Sequence, residues 1–66
     1  MYKVELKNNN GKYSVNLILW DKNGYGSAFG KYLGRSYKKA RITAEYIAKL
    51  YNCEIKEENK WITLIL

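Results

Sequence analysis

The chain has 66 residues, with 12 Lys and Arg against 6 Asp and Glu, one cysteine, no histidine and no proline, for a net charge of +6. That length supports one domain around one modest core. The lone Cys53 excludes an internal disulfide; one thiol with no histidine excludes a structural zinc site; and the lack of histidine excludes an imidazole-based triad and a histidine general base.

No stretch approaches the ~20 apolar residues that cross a bilayer. The opening Tyr2-Lys3-Val4-Glu5-Leu6 alternates and does not resemble a signal peptide. The expectation is a single domain over residues 1–66, cytoplasmic, with no membrane partner and no cofactor. Cys53 is expected to be a half-buried small hydrophobe. Lys, Asn, Ile and Tyr are frequent and have AT-rich codons, which points to an AT-rich genome or a phage or other mobile element.

In residues 2–7, Tyr2, Val4 and Leu6 face one way and Lys3, Glu5 and Lys7 the other, the pattern of a half-buried strand. Asn8-Asn9-Asn10-Gly11 is a turn of residues that tolerate positive φ. A second strand is expected over 12–20. Tyr13, Val15, Leu17 and Leu19 share one face; Ser14 and Asn16 begin the other, which ends apolar at Ile18 and Trp20. Asp21-Lys22-Asn23-Gly24 is a second turn. A third extended segment runs from Tyr25 to Leu33, with glycines at 26, 30 and 34.

Ser36 is a good N-cap for a helix that Asn52 ends. On a helical wheel Ala40, Thr43, Ala44, Ile47, Ala48, Leu50 and Tyr51 form the expected buried face. Lys38, Arg41, Glu45, Lys49 and Asn52 lie opposite, with Ile42 and Tyr46 on a flank. The tail reads as a hairpin, Cys53–Lys56 and Lys60–Leu66, turning at Glu57-Glu58-Asn59. Its last segment, Trp61–Leu66, is apolar enough to predict a central strand, or one covered by the helix or a second subunit. The predicted fold class is α+β: a small antiparallel sheet with one helix packed on a face, in the order β-β-β-α-β-β.

The acids, Glu5, Asp21, Glu45, Glu54, Glu57 and Glu58, form no constellation for two-carboxylate or metal-ion catalysis. The glycines fit neither a Walker A nor a dinucleotide pattern. The expectation is therefore a protein that is not an enzyme. Thr43-Ala44-Glu45-Tyr46 resembles the helix of ribonuclease H-like domains in which a glutamate holds a metal. Those domains add acids from other strands, and Asp21 is the only aspartate here. Glu45 also has an ordinary use, pairing with Arg41 and Lys49 at i±4.

The charge is concentrated. Residues 31–49 hold Lys31, Arg35, Lys38, Lys39, Arg41 and Lys49 against Glu45 alone. A focused positive field attracts polyanions, nucleic acid first. Lysines in a helix's first turn oppose its dipole, so Lys38 and Lys39 make an expected phosphate site at the Ser36-capped start. The rival explanation is a solubilising face. Tyr25, Tyr32 and Tyr37 flank these cations and are candidates for stacking on unpaired bases, although tyrosine is also an ordinary strand residue.

The string Phe29-Gly30-Lys31-Tyr32-Leu33-Gly34-Arg35-Ser36-Tyr37-Lys38-Lys39-Ala40-Arg41 resembles the double-stranded RNA-binding domain, from about residue 12 to residue 50. There a Gly-rich turn leads into a Ser-capped basic helix with spaced alanines. By this resemblance Gly30 and Gly34 are turn glycines, Ser36 is the cap, and Lys38, Lys39 and Arg41 grip phosphates. That family's first helix has no counterpart in this chain. The Tyr32-Leu33-Gly34 turn also resembles the AP2 and integrase arm-type DNA-binding domains, three strands on one helix, which lay the sheet into the major groove. The resemblance implies a reading face of Lys12, Ser14, Asn16 and Lys22, with Arg35 at the turn.

These readings predict a binder of double-stranded DNA or RNA through Lys12, Asn16, Lys31, Arg35, Ser36, Lys38, Lys39, Arg41 and Lys49. The alternative is a protein-interaction module, an antitoxin or a small phage or mobile-element inhibitor, docking through the Ile42/Tyr46 flank or the tail on an acidic partner or on itself as a homodimer. The Tyr2-x-Val4 and Gly11-x-Tyr13-x-Val15 opening resembles antitoxins with a partial ribonuclease H-like fold, in keeping with that alternative.

Overall fold

A computed structural model of the chain describes residues 1–24, 26–57 and 60–62. Three strands, β1 (Tyr2–Asn9), β2 (Lys12–Trp20) and β3 (Gly26–Gly34), precede one helix, α1 (Tyr37–Tyr51), and two short strands, β4 (Ile55–Glu57) and β5 (Lys60–Ile62). The sheet order is β3-β2-β1-β4-β5. The fold is α+β with the expected element order.

The two turns work as their residues require. Asn10 and Gly11 take φ of 54° and 86°, the pair of positive values that a two-residue hairpin loop demands, and the Gly11 amide donates to Asn8 Oδ1 at 2.9 Å. At the second turn the Asn23 amide donates to Asp21 Oδ1 and the Gly24 amide to the Asp21 carbonyl. Tyr25, expected to open β3, lies outside the described residues.

The alternation in β1 and β2 puts Val4, Leu6, Val15 and Leu17 on one face, where Ile55 of β4 joins them. Ala40, Ala44 and Ala48 press on that face, each at most 1% exposed. Alanine at every fourth position lets the helix backbone approach the sheet closely, and Tyr13, Tyr32, Ile47 and Cys53 pack around the rim. The buried line is narrower than the wheel predicts. Leu50, expected to face the core, sits well off the alanine line and is 64% exposed.

The sheet is not wholly antiparallel, which corrects the expectation. β1 pairs antiparallel with β2 but parallel with β4, through Val4↔Ile55, Glu5↔Lys56 and Leu6↔Glu57. The cause is the helix. Fifteen residues rise about 22 Å, carrying the chain back along the sheet, so the next strand sets out in the direction of β3 and β1. Among the described residues β5 pairs with β4 at one edge of the sheet rather than centrally, because the places beside β1 are taken by β2 and β4. The predicted turn residues Glu58 and Asn59, and residues 63–66 of the predicted last strand, lie outside the described residues. No described helix is long and apolar enough to cross a membrane.

Candidate nucleic-acid interface

The cations fall into two groups. One is engaged by acids: Lys3 and Lys7 both pair with Glu5, at 3.8 and 3.9 Å, and Arg41 pairs with Glu45 and Glu57. The other, Lys12, Lys22, Lys31, Arg35, Lys38, Lys39 and Lys49, is exposed and has no acid partner among the described residues. Four of them, Lys31, Arg35, Lys38 and Lys39, lie within nine positions, from the bulge in β3 through the corner to the first turn of α1.

Ser36 builds the corner. Its backbone is extended, at φ −97° and ψ 110°, and its Oγ accepts a hydrogen bond from the Lys39 amide at 3.2 Å. The Ser36 carbonyl accepts from the Ala40 amide. Among the described residues the amides of Tyr37 and Lys38 have no protein partner. The first turn holds no acid, so nothing in it offsets the positive end of the helix dipole.

Arg41 is placed differently from Lys38 and Lys39. Its Nη1 donates to Glu57 Oε1 at 2.8 Å and its Nε to Glu45 Oε2 at 3.1 Å. The Tyr37 hydroxyl donates to the same Glu57 carboxylate, at 2.9 and 3.1 Å. The guanidinium thus ties the first half of α1 to the end of β4, and its charge is already met by two carboxylates, although only two of its five N–H donors are engaged among the described residues. The hydrogen bond to Glu45 holds the Arg41 pKa above its ordinary value. The hydrogen bond to Glu57, with burial second, raises that of the Tyr37 phenol. Sequence reasoning found the Glu45 contact from its i+4 spacing but not Glu57, whose approach depends on where β4 lands.

The other expected site residues are dispersed. Lys12 and Asn16 share the sheet face turned away from the helix, together with Ser14. Lys49 lies about 16 Å along the helix from Lys38 and sits in the last turn, where a cation suits the dipole. Lys22 is exposed in the turn before β3. Lys31 stands at a β-bulge, where the register of β2 against β3 shifts between Val15 and Asn16, and it lines a shallow depression with Asn16 and Leu33.

Gly30 and Gly34 both lie inside β3 rather than in a turn. A Cβ at Gly34 would lie 2.6 Å from the Tyr32 hydroxyl, whereas one at Gly30 would meet only Asn16 Oδ1 at 3.7 Å. Of the tyrosines proposed for stacking, Tyr32 packs on the core rim. Tyr37 meets the Tyr13 ring edge-on at 5.3 Å, and Tyr25 is outside the described residues.

The sheet face away from the helix is mixed. Ile18 and Trp20 are half-buried there, and the Lys3 ammonium lies 5.3 Å from the centre of the Trp20 ring. Leu33 is 67% exposed. Among the described residues no group of three or more His, Cys, Asp or Glu side chains converges to hold a metal ion. Comparison with protein families, curated proteins and solved structures returns no match.

Proposed function

We propose that this protein binds double-stranded nucleic acid without catalysing a reaction, gripping the sugar-phosphate backbone with the β3–α1 corner. The observation that carries the reading is the clustering of cations that no described acid meets: four of the seven, Lys31, Arg35, Lys38 and Lys39, fall within nine positions. Lys3, Lys7 and Arg41, by contrast, are met by acids.

The corner has a division of labour. The four cations neutralise phosphates, and the amides of Tyr37 and Lys38 donate to an anion at the helix start. Ser36 fixes the first turn, and Arg41, with Tyr37 and Glu57, holds the helix start against β4. Lys12 and Lys49 stand apart from this surface and take no part in it, whereas Asn16 borders it in the depression beside Lys31. The sheet face that an AP2-like mode would use carries Glu5 and the apolar Leu33, which favours the corner over the sheet. A cytoplasmic setting suits such a partner.

Fluorescence anisotropy against labelled duplex DNA, duplex RNA and single strands, over a salt series, tests the reading. Four phosphate contacts give log K against log salt a slope of about −3.6, so raising salt from about 50 to 200 mM weakens duplex binding about 150-fold. Absence of duplex binding at low salt refutes it, and the preferred duplex decides between the DNA and RNA resemblances.

A further inference from the structure

The outer surface of α1 carries a second feature that phosphate binding does not use. Ile42, Tyr46 and Leu50 are 57%, 57% and 64% exposed. Spaced four apart, they form one row about 12 Å long on the side of the helix away from the sheet. The helix already buries an alanine line against β1 and β2, so this row contributes nothing to the core. Around it stand Lys38, Lys39 and Lys49, none with an acid partner among the described residues. The only acid in the helix, Glu45, is held by Arg41.

We infer that this row is a docking surface for an acidic amphipathic helix of a partner protein, which packs alongside α1 with its apolar stripe on Ile42, Tyr46 and Leu50 and its carboxylates against Lys38, Lys39 and Lys49. Charge decides the occupant. A second copy placed face to face would set these lysines against their own counterparts, with no free acid on either helix to offset them. A phosphate backbone has no use for three large apolar side chains in a line. An anionic membrane would be met by a single narrow row, because the broad apolar face of this helix is turned into the sheet. A partner helix with an apolar seam and flanking carboxylates matches both the spacing and the sign. The apolar row lies outside the corner, while Lys38 and Lys39 belong to both surfaces, so a duplex and a partner helix compete for them.

The test titrates the full ¹⁵N-labelled chain with a synthetic helical peptide of about 20 residues bearing leucines along one stripe and glutamates beside it. Controls are a scrambled peptide of the same composition, a version with lysine for glutamate, and phosphatidylserine vesicles. Saturable shifts confined to the outer face of residues 38–50 are expected with the acidic amphipathic peptide alone. The doubly substituted I42Q/Y46Q chain is expected to lose at least tenfold in peptide affinity, while its duplex binding and salt slope, which no added charge disturbs, stay as in the parent chain. Both side chains are more than half exposed, so circular dichroism of the variant is expected to match the parent. No saturable binding, equal binding of the scrambled or lysine peptide, a preference for vesicles, or an unchanged affinity in I42Q/Y46Q overturns the inference.

Discussion

Replacing Lys38 and Lys39 together by glutamate separates the work these residues do for binding from their effect on the helix. Both occupy the first turn of α1, where the dipole is positive and no acid is present. Lys39→Glu also completes a Ser-x-x-Glu capping box with Ser36, whose hydroxyl already accepts from the residue 39 amide. Removing two unfavourable charges and adding two favourable ones is expected to stabilise the fold by about 1 kcal/mol. For a domain of this size that raises the melting temperature by about 4–8 °C. Binding moves the other way. Losing two of four phosphate contacts halves the salt slope to about −1.8, so a fourfold rise in salt weakens the residual binding only about 12-fold. Charge reversal lowers affinity for every duplex sequence alike, because backbone contacts carry no base information. Thermal melts and anisotropy on the same preparation read both effects. A variant that melts higher yet binds duplex with the parental slope refutes the proposed surface. A variant that melts lower refutes the account of the helix start.

Three further outcomes follow from the geometry. Gly26→Ala sets a Cβ against the Leu19 backbone carbonyl, which cannot move aside, so a loss of about 1–3 kcal/mol is expected in urea melts. Gly30→Ala meets only ordinary contact and is expected to be near neutral. Arg41→Met keeps the stem but frees Glu57 and Glu45; for side chains this exposed, about 1 kcal/mol is expected, with duplex affinity changed less than twofold at fixed salt. The Tyr37 phenol has a folded pKa above its unfolded value, so its contribution to stability is complete below pH ~10 and is lost as pH rises through the folded pKa. Tyr37→Phe is expected to lose that alkaline component, which stability measured from pH 8 to 12 detects.

Much of this fold is readable from local pattern. The alternation in residues 2–7, the Asn10-Gly11 turn, the Ser36 cap and the Asn52 stop each depend on neighbours in sequence, and each is found where the residues put it. Asn52 takes φ 51° and ψ 55°, and its amide closes the helix on the carbonyls of Ala48 and Lys49. The parallel pairing of β1 with β4 depends instead on the helix's length as a return path, a geometric argument that hydrophobic periodicity does not contain. The same landing of β4 brings Glu57 to Arg41, so one long-range event removes Arg41 from the free cations. Lys12 and Asn16 were separable from Lys38 by parity alone. Even-numbered positions of β2 face away from the core, and the helix packs on the core side.

The three rungs that join β1 to β4 also set an order of events in folding. β1, β2 and β3 zip through two tight turns, and α1 forms from contacts within its own sequence. Pairing Val4 with Ile55 closes a loop over most of the chain, the entropically slowest kind of contact. Ile55 is fully buried, so the core is complete only after that closure. Refolding kinetics of Ile55→Val should therefore place its effect mainly in the unfolding rate, marking β4 as the element that docks last and detaches first.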